Sequence, residues 1–298
     1  MAQITAADVK KLREMSGAGM MDCKKALAET DGDIDAAVDF LRKKGLAAAS
    51  KKAGRVAAEG VVLVKTEGNN AVVVEVNSET DFVSKNDKFT AFVDALAALI
   101  LREKPADVAA LNALSFDGSL SVEQALSQLI ATIGENMSIR RFELIGVDSG
   151  AVGAYVHGAG KIGVLVGIKG ENSDALNDFA RNVAMHVAAA NPQAIGRDDV
   201  AADAVERERA VLSERAAASG KPAEIIEKMV SGQMNKFYAE SCLVEQAFVM
   251  DPDVSVGKAL AKVQPDAAIV SMVRFQLGEG IEKKEDDFAA EVAAQVNG

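Results

Sequence analysis

VVVEVNSETDFVSKND, residues 72–87, changes from an extended pattern to a helical one around the tetrapeptide Thr80-Asp81-Phe82-Val83. Residues 72–76 form an apolar run typical of a buried strand, residues 77–79 suit a turn, and the polar residues after the tetrapeptide can cap a helix. Corners between a strand and a helix carry function more often than strand interiors, because a rigid scaffold presents them. Phe82 therefore has two interpretations: it packs under the following helix, or it is presented at the corner.

A hairpin precedes this corner and a helix follows it. Residues 61–65 and 71–76 are extended apolar runs on either side of Glu67-Gly68-Asn69-Asn70, which is a strong hairpin signal. In residues 88–101, large apolar side chains recur at spacings of three and four, which predicts an amphipathic helix. We therefore expect the corner to join a β-hairpin to a helix within a subdomain of mixed secondary structure.

The same order of elements recurs about ninety residues later in the chain. Residues 152–157 and 162–168 flank Gly158-Ala159-Gly160-Lys161 as a second hairpin, and residues 174–190 follow as a helix. Between the two repeats, residues 122–133 predict a further helix and residues 138–147 a further extended segment. The repeat predicts an α+β fold whose core consists of two related subdomains with antiparallel sheets, each of about three strands.

Residues 4–44 predict a compact unit of three helices. Thr5 with Asp8 resembles a capping box, two glycines at positions 17 and 19 make a turn, and Gly45 is expected to end the third helix. Met20 and Met21 fall in the turn, either as core filler or as an adaptable apolar contact surface. Because a unit of this size makes only a marginal core, we interpret it as a docking module rather than a catalytic domain.

The rest of the chain contains a connecting segment and a pair of charged helices. Residues 46–59 are rich in Ala, Lys and Gly and predict a solvated connecting helix or linker that separates the module from the rest of the protein. Residues 200–218 and 223–238 are joined by a tight turn, which predicts an antiparallel helical hairpin. The expected organisation is a docking module (1–45), a linker (46–59), core subdomains (60–150 and 151–279) with the hairpin inserted at 192–238, and a C-terminal helical module (280–298).

The composition excludes several classes of function. A net charge of −11 argues against a nucleic-acid-binding surface, which needs Lys and Arg in excess. Cys23 and Cys242 are isolated thiols that fit a reducing compartment and no disulfide framework. The N-terminus lacks a signal pattern, and no apolar run approaches the ~18 residues of a membrane-spanning helix. We expect a soluble, cytoplasmic protein with neither a membrane nor a nucleic acid as partner.

The sequence offers no catalytic set. Neither His157 nor His186 has Cys or carboxylates at metal-ligand spacing; His186 is expected to pack or hydrogen-bond within a helix, and His157 to close a strand in a more exposed position. No Gly-x-x-x-x-Gly-Lys-Ser/Thr loop is present, and Gly158-Ala159-Gly160 precedes a strand rather than a helix, so nucleotide-binding signatures are missing. We therefore expect a binding or regulatory protein that is not an enzyme and holds no cofactor or metal.

Short motifs along the whole chain carry a family resemblance. They are Leu12-Arg13-Glu14, Gly17-Ala18-Gly19-Met20-Met21-Asp22-Cys23-Lys24-Lys25-Ala26-Leu27, Thr80-Asp81-Phe82-Val83, Ile133-Gly134-Glu135-Asn136, His157-Gly158, Ala184-Met185-His186-Val187-Ala188 and Gly278-Glu279-Gly280-Ile281-Glu282-Lys283. In this order and spacing they resemble the bacterial elongation factor Ts family, whose members are guanine-nucleotide exchange factors for elongation factor Tu. The connection between Arg102 and Ser121 departs from the family pattern.

The resemblance implies a partner and roles for particular residues. The partner would be elongation factor Tu in its GDP-bound and nucleotide-free forms. Asp81 and Phe82 would enter its G domain near the magnesium site, and Thr80 to Val83 would be the segment that dislodges the ion. Arg13, Met20 and Met21 would contribute to docking through a ubiquitin-associated-like (UBA-like) module, and His157 would lie near the same interface. The helical hairpin would be the family's coiled-coil arm, through which a homodimer or a 2:2 complex can form.

With these implications Phe82 is expected to be an exposed apolar tip that acts as a wedge, while Asp81 perturbs charge and hydrogen bonding around the metal. Two other classes stay open. A hydrolase or transferase assembled from scattered carboxylates would lose function, but not partner binding, when dispersed acids are mutated. A non-catalytic scaffold or chaperone-like binder of a GTPase would bind its partner and leave the rate of nucleotide release unchanged.

Overall fold

A computed structural model describes residues 4–282 of the 298-residue chain. The predicted C-terminal helical module at 280–298 lies outside the described residues beyond Glu282. The described residues form helices and small antiparallel sheets, which confirms the predicted α+β class. No helix in this range is both long enough and apolar enough to cross a lipid bilayer.

Groups of helices and groups of strands follow one another along the described chain. The helices are α1 (Ala6–Ser16), α2 (Met20–Glu29), α3 (Ile34–Lys52), α4 (Asp87–Glu103), α5 (Val108–Ala113), α6 (Val122–Ile133), α7 (Asp174–Ala190), α8 (Ala202–Ala217), α9 (Ala223–Ser241) and α10 (Val256–Val263). The strands are β1 (Glu59–Glu67), β2 (Asn70–Ser78), β3 (Met137–Gly146), β4 (Gly150–His157), β5 (Ile162–Lys169), β6 (Ala247–Phe248), β7 (Asp251–Ser255) and β8 (Ala268–Gln276). The strand orders are β1-β2-β3, β4-β5-β8 and β6-β7, so each of the two larger sheets has the three strands expected.

The described residues divide into two compact units. The first contains residues up to 61, residues 75–141 and the segment from 277, and the second contains residues 62–74 and 142–276. These units follow contacts rather than chain order, because the β1-β2 hairpin contributes to both. The subdomain boundaries expected from the sequence, at 60–150 and 151–279, stay a prediction.

The N-terminal helices of the first unit pack around a small apolar core. Leu12, Cys23, Leu27 and Leu41 are buried in this core. The predicted capping box is present: the Thr5 hydroxyl accepts a hydrogen bond from the Asp8 amide at 3.2 Å, and the Thr5 amide donates to the Asp8 carboxylate at 3.0 Å. The predicted triplet of helices is therefore confirmed, and its likeness to a UBA module stays a prediction.

The third helix differs from the prediction, because Gly45 does not end α3, which continues to Lys52. Gly45 is buried, and a Cβ at this position would lie 3.7 Å from the carbonyl oxygen of Ser127 and 3.9 Å from the Cβ of Ala131, both in α6. The contact with α6 stabilises a helix that the glycine alone would weaken. The segment at 46–59 therefore does not separate the helical triplet from the rest of the first unit, since α3 packs on α6 within that unit.

Replacing Gly45 by Ala is expected to stabilise the chain by about 0.5–1 kcal/mol, because Ala has lower conformational entropy in the unfolded state. The added methyl group would meet only ordinary van der Waals contacts on α6. Gly45→Leu should have the opposite sign, because its branched side chain would push α3 away from α6. Urea unfolding measures both free energies; a loss of stability in Gly45→Ala would show that the α3–α6 contact is tighter than described.

The first unit also holds the segment that leads from strand to helix. β2 is buried over almost its whole length, and α4 buries one face, including Phe89, against the unit. Asn86 caps α4, because its Oδ1 accepts hydrogen bonds from the amides of Lys88 at 3.0 Å and Phe89 at 3.4 Å. The cap predicted after the tetrapeptide is confirmed, and the corner between β2 and α4 is held by regular structure on both sides.

The second unit also combines a three-stranded sheet, β4-β5-β8, with a long helix, α7, which has the same length as α4. α7 lies directly on β4, since a Cβ at Gly153 would come within 2.0 Å of the Ala180 carbonyl oxygen. His186 is buried in α7; its Nε2 forms a 2.8 Å hydrogen bond with Gln246 Oε1, and its Nδ1 accepts one from the Val249 amide at 3.2 Å. Burial lowers the pKa of His186, a trend that the bond to Gln246 opposes. The predicted structural role of His186 is confirmed.

α8 and α9 form the predicted antiparallel helical hairpin. Leu212 and Ala216 of α8 pack against Val230 and Met234 of α9. The turn between the helices contains Gly220 with φ +67°, a left-handed conformation that favours glycine. Self-association through this hairpin stays a prediction.

Candidate functional site

Phe82 lies at the surface of the first unit with 79% of its area exposed. The interpretation in which Phe82 packs under α4 is therefore wrong. Val83 is only 3% exposed, so the apolar side chain that the tetrapeptide buries in the unit is that of Val83 and not that of Phe82. The expected exposed apolar tip is present, with Asp81 exposed beside it.

The backbone of the corner is closed by local hydrogen bonds. The Ser84 hydroxyl donates to the Asp81 carbonyl at 2.6 Å, and the Asn86 amide donates to the Val83 carbonyl at 2.9 Å. Phe82 has φ −62° and ψ −36°, an ordinary right-handed helical conformation. Exposure of the ring therefore results from the direction of an unstrained turn.

Thr80 is held through all three of its polar groups. Its amide donates to Glu135 Oε2 at 2.9 Å, its hydroxyl donates to Glu135 Oε1 at 2.7 Å, and its carbonyl accepts from the Ser78 hydroxyl at 2.9 Å. Thr80 thus fixes one end of the corner and buried Val83 fixes the other. The backbone is therefore held on both sides of the two exposed residues, Asp81 and Phe82.

A second set of hydrogen bonds joins the segment around Thr80 to the segment around Glu135, this time with a donor from the latter. The Asn136 amide donates to Glu79 Oε1, and the buried Asn136 side chain donates to the Arg55 carbonyl at 2.7 Å. Glu79 and Thr80 therefore exchange bonds with Glu135 and Asn136, which come directly after α6. The Glu135-Asn136 motif contributed to the family resemblance but had no predicted role; the signal was a polar pair directly after a helix-ending glycine.

The strand that leads into the corner carries a fully buried carboxylate, Glu75. Arg140 Nη1 lies 2.9 Å from Glu75 Oε1, Arg141 Nε lies 2.6 Å from Oε2, and the Gly278 amide donates to Oε1 at 2.8 Å. Burial raises the pKa of Glu75, but the hydrogen bonds from Gly278, the two arginines and Asn77 outweigh it and hold the pKa below its usual value. This cluster ties the C-terminal segment of the unit to β2 and β3.

The predicted docking residues Arg13, Met20 and Met21 line one open groove on the helical triplet, with a volume of about 600 Å³. Met20 and Met21 lie in the first turn of α2 rather than in the turn before it, which corrects the prediction. They are 59% and 75% exposed, so the interpretation as core filler is wrong. The remaining lining residues are Ile4, Thr5, Ala6, Val9, Lys10 and Lys24.

The groove and the corner belong to the same compact unit. The Lys88 side chain, in the first turn of α4, donates to the Gly17 carbonyl at the end of α1 at 3.3 Å. Arg42 of α3 donates to the Ser119 carbonyl at 3.1 Å. These bonds, with the α3–α6 contact, attach the helical triplet to the part of the unit that presents Phe82.

His157 lies in the second unit, at the end of β4. It is exposed, as predicted, and its Nδ1 lies 3.1 Å from the Tyr155 hydroxyl. The structure therefore groups Thr80, Phe82 and the methionines in one unit and His157 in the other. A role for His157 at the same interface stays a prediction.

The exposed side chains of the corner are those of Asp81 and Phe82. Within residues 4–282 no cluster of three or more His, Cys, Asp or Glu side chains is arranged to hold a metal ion. What the corner presents is an aromatic ring and a carboxylate on a fixed backbone. Together the α+β fold, the helical triplet with its open groove and this corner are features of a protein that binds another macromolecule.

Comparison with known proteins identifies the family. The family model for elongation factor TS matches residues 79–279. The chain is 56% identical to an elongation factor Ts of Sphingopyxis alaskensis over 99% of both chains. It is 52% identical to that of Syntrophotalea carbinolica over 98% of this chain and 99% of the relative. The chain belongs to the elongation factor Ts family, a family of translation elongation factors, as the motifs predicted.

Proposed function

We propose that this chain is a guanine-nucleotide exchange factor that binds GDP-bound elongation factor Tu in the cytoplasm, disturbs its magnesium site and promotes GDP release. The observation that carries the proposal is the corner, where Phe82 is 79% exposed between two fixed residues. A ring held in this way is buried only when a partner receives it. Membership of a family of translation elongation factors supports the choice of partner.

The chemistry of a G protein explains how such a corner can act. GDP and magnesium hold one another in place through phosphate oxygens, so a disturbance of the metal weakens the nucleotide. Phe82 would wedge beside the metal site, and the exposed Asp81 carboxylate would alter the charge and hydrogen bonding around the ion. This action needs no acid, base or nucleophile, and the chain would be no enzyme in the chemical sense.

Thermodynamic linkage sets what the chain must do in addition to inserting one ring. If the exchange protein lowers the affinity of elongation factor Tu for the nucleotide, the nucleotide lowers the affinity of elongation factor Tu for the exchange protein by the same ratio. Burial of one Phe side chain contributes about 1.5–3 kcal/mol, roughly a ten- to hundredfold effect. One ring is too little to displace the nucleotide, so other contacts must supply the remaining binding free energy. The groove lined by Arg13, Met20 and Met21 is the proposed source.

The direct test is the release of a fluorescent GDP analogue from purified elongation factor Tu, with and without the full chain. We expect the chain to accelerate release in a saturable way. Binding of the chain without any acceleration would contradict the exchange function and favour a scaffold or chaperone-like binder of the GTPase.

Replacing Met20 and Met21 together by Ala is expected to raise the chain concentration needed for half-maximal release by roughly tenfold, because each loses part of a 1.5–3 kcal/mol burial term. The maximal rate should stay within about twofold, since Phe82 is intact. Met15→Ala is the matched control, because Met15 is 55% exposed on the same triplet but does not line the groove. An equal effect of Met15→Ala would show that the groove is not the site through which the helical triplet binds elongation factor Tu.

A further inference from the structure

We propose that Glu135 is a positioning residue for nucleotide exchange, which holds Thr80 so that the corner presents Phe82 to the partner. The proposal rests on the proposed function and adds to it a residue outside the tetrapeptide. It also changes the role of Thr80, whose hydroxyl would fix the corner instead of contacting elongation factor Tu.

The contact between Glu135 and Thr80 is well suited to this task. Each carboxylate oxygen receives one donor from the same residue, the amide at 2.9 Å and the hydroxyl at 2.7 Å. Hydrogen bonds to an ionised acceptor are shorter and stronger than neutral ones, and two of them fix both the position and the rotation of the group that donates. Glu135 and Thr80 are both half-buried, which reduces competition from water.

Glu135 is itself held on a fixed platform. The preceding residue, Gly134, ends α6 with φ +94°, and its carbonyl accepts a hydrogen bond from Lys52 Nζ at 2.6 Å. The following residue, Asn136, is bonded to Glu79 through its amide and to Arg55 through its side chain. The carboxylate therefore projects from a segment that is tied down on both sides.

Only one residue, Asp81, separates Thr80 from Phe82, so the direction of the ring depends on the orientation of the Thr80 backbone. Val83 anchors the far side of the tip through its buried side chain, and no bond to Glu135 reaches that side. Without Glu135 the tip would pivot about Val83, and the ring would sample directions in which it misses its receiving surface. A misplacement of about 1 Å in a functional group can cost up to a hundredfold in rate.

The first test measures the corner in the free chain, without any partner. Hydrogen exchange of the peptide that covers residues 79–84 is compared for the wild-type chain, Glu135→Ala and the control Glu171→Ala, which removes an exposed carboxylate from the loop between β5 and α7. We expect Glu135→Ala alone to speed exchange of the Thr80 amide by roughly tenfold or more, because that amide loses its acceptor. Unchanged protection would overturn the proposal whatever the chain does to elongation factor Tu.

The second test is a double-mutant cycle on the rate of GDP release from elongation factor Tu at saturating chain. Glu135→Ala is expected to slow stimulated release by roughly tenfold in the wild-type background and by less than about twofold in the Phe82→Ala background. Equal losses in both backgrounds would show that Glu135 acts by a route other than Phe82 and would overturn the proposal. Glu171→Ala should match the wild type in both backgrounds.

Two milder variants guard against misfolding and separate the possible failures. Thr80→Val removes only the hydroxyl donor, and Glu135→Gln keeps the shape but loses the charge; each should retain the thermal midpoint and lose part of the protection and part of the rate. If the wild-type chain does not accelerate release at all, the exchange function fails, and so does the role of Glu135 in it. If the chain accelerates release but these variants match the wild type, only the role of Glu135 fails.

Discussion

Phe82→Ala is expected to reduce the chain-stimulated rate of GDP release from elongation factor Tu by roughly ten- to a hundredfold, the effect of losing about 1.5–3 kcal/mol of burial in the exchange complex. The stability of the free chain should not fall, because Phe82 is 79% exposed and contributes little to its core. Stopped-flow release of a fluorescent GDP analogue measures the rate, and thermal unfolding checks the fold.

Two further variants define what the ring contributes. Phe82→Leu keeps an apolar side chain of similar bulk, so a wedge predicts partial activity between wild type and Phe82→Ala. Val263→Ala is the control for loss of an exposed apolar side chain, because Val263 is 38% exposed at the end of α10. If Phe82→Ala releases GDP as fast as the wild type, the wedge is wrong.

Glu75→Ala is expected to have the largest effect on folding, a loss of about 3 kcal/mol in the free energy of unfolding, because it removes the buried carboxylate to which Arg140, Arg141 and the Gly278 amide all donate. Arg140 and Arg141 are only 26% and 31% exposed at the side chain, so water replaces the carboxylate poorly. Urea unfolding measures the loss. Glu67→Ala, at the exposed end of β1, is the control and should change stability by less than about 0.5 kcal/mol.

The same cluster predicts a dependence of stability on pH. The folded pKa of Glu75 lies below its usual value of 4.5, so the unfolded chain binds this proton first as pH falls. The contribution of Glu75 is therefore complete above pH 4.5 and is lost as pH falls through the folded pKa. Glu75→Gln lacks this titration, so the difference in stability between wild type and Glu75→Gln should shrink on acidification; a difference that stays constant would contradict the ionised pair.

Elements whose signals are local were predictable from the sequence. The helix at 122–133 was predicted with the bounds of α6, because Ser121 begins a capping box and Gly134 ends the helix in a left-handed conformation. The helix at 174–190 was predicted with the bounds of α7 for similar reasons, with Ser173 as its cap. In both helices the periodic apolar residues and the capping residues lie close together in the sequence, so their bounds could be predicted without knowledge of distant contacts.

Features that depend on distant residues were missed or left open. Gly45 has the local signature of a helix end, and only its contact with α6 explains why α3 continues. The local pattern left the direction of Phe82 undecided, because Val83 could be buried in its place and because Thr80 is held by Glu135, far along the chain. Glu75 likewise looked like part of an apolar run in the sequence, since the two arginines and the Gly278 amide that hold it lie far along the chain.

The central claim is that the corner acts through the magnesium ion, and GDP release with and without a magnesium chelator tests it most directly. In magnesium buffer, GDP release from elongation factor Tu should be roughly ten- to a hundredfold faster with the wild-type chain than with Phe82→Ala. With the ion removed by chelator, the corner has nothing left to dislodge, so the two rates should agree within about twofold. A ratio that keeps its full value in chelator would contradict the account.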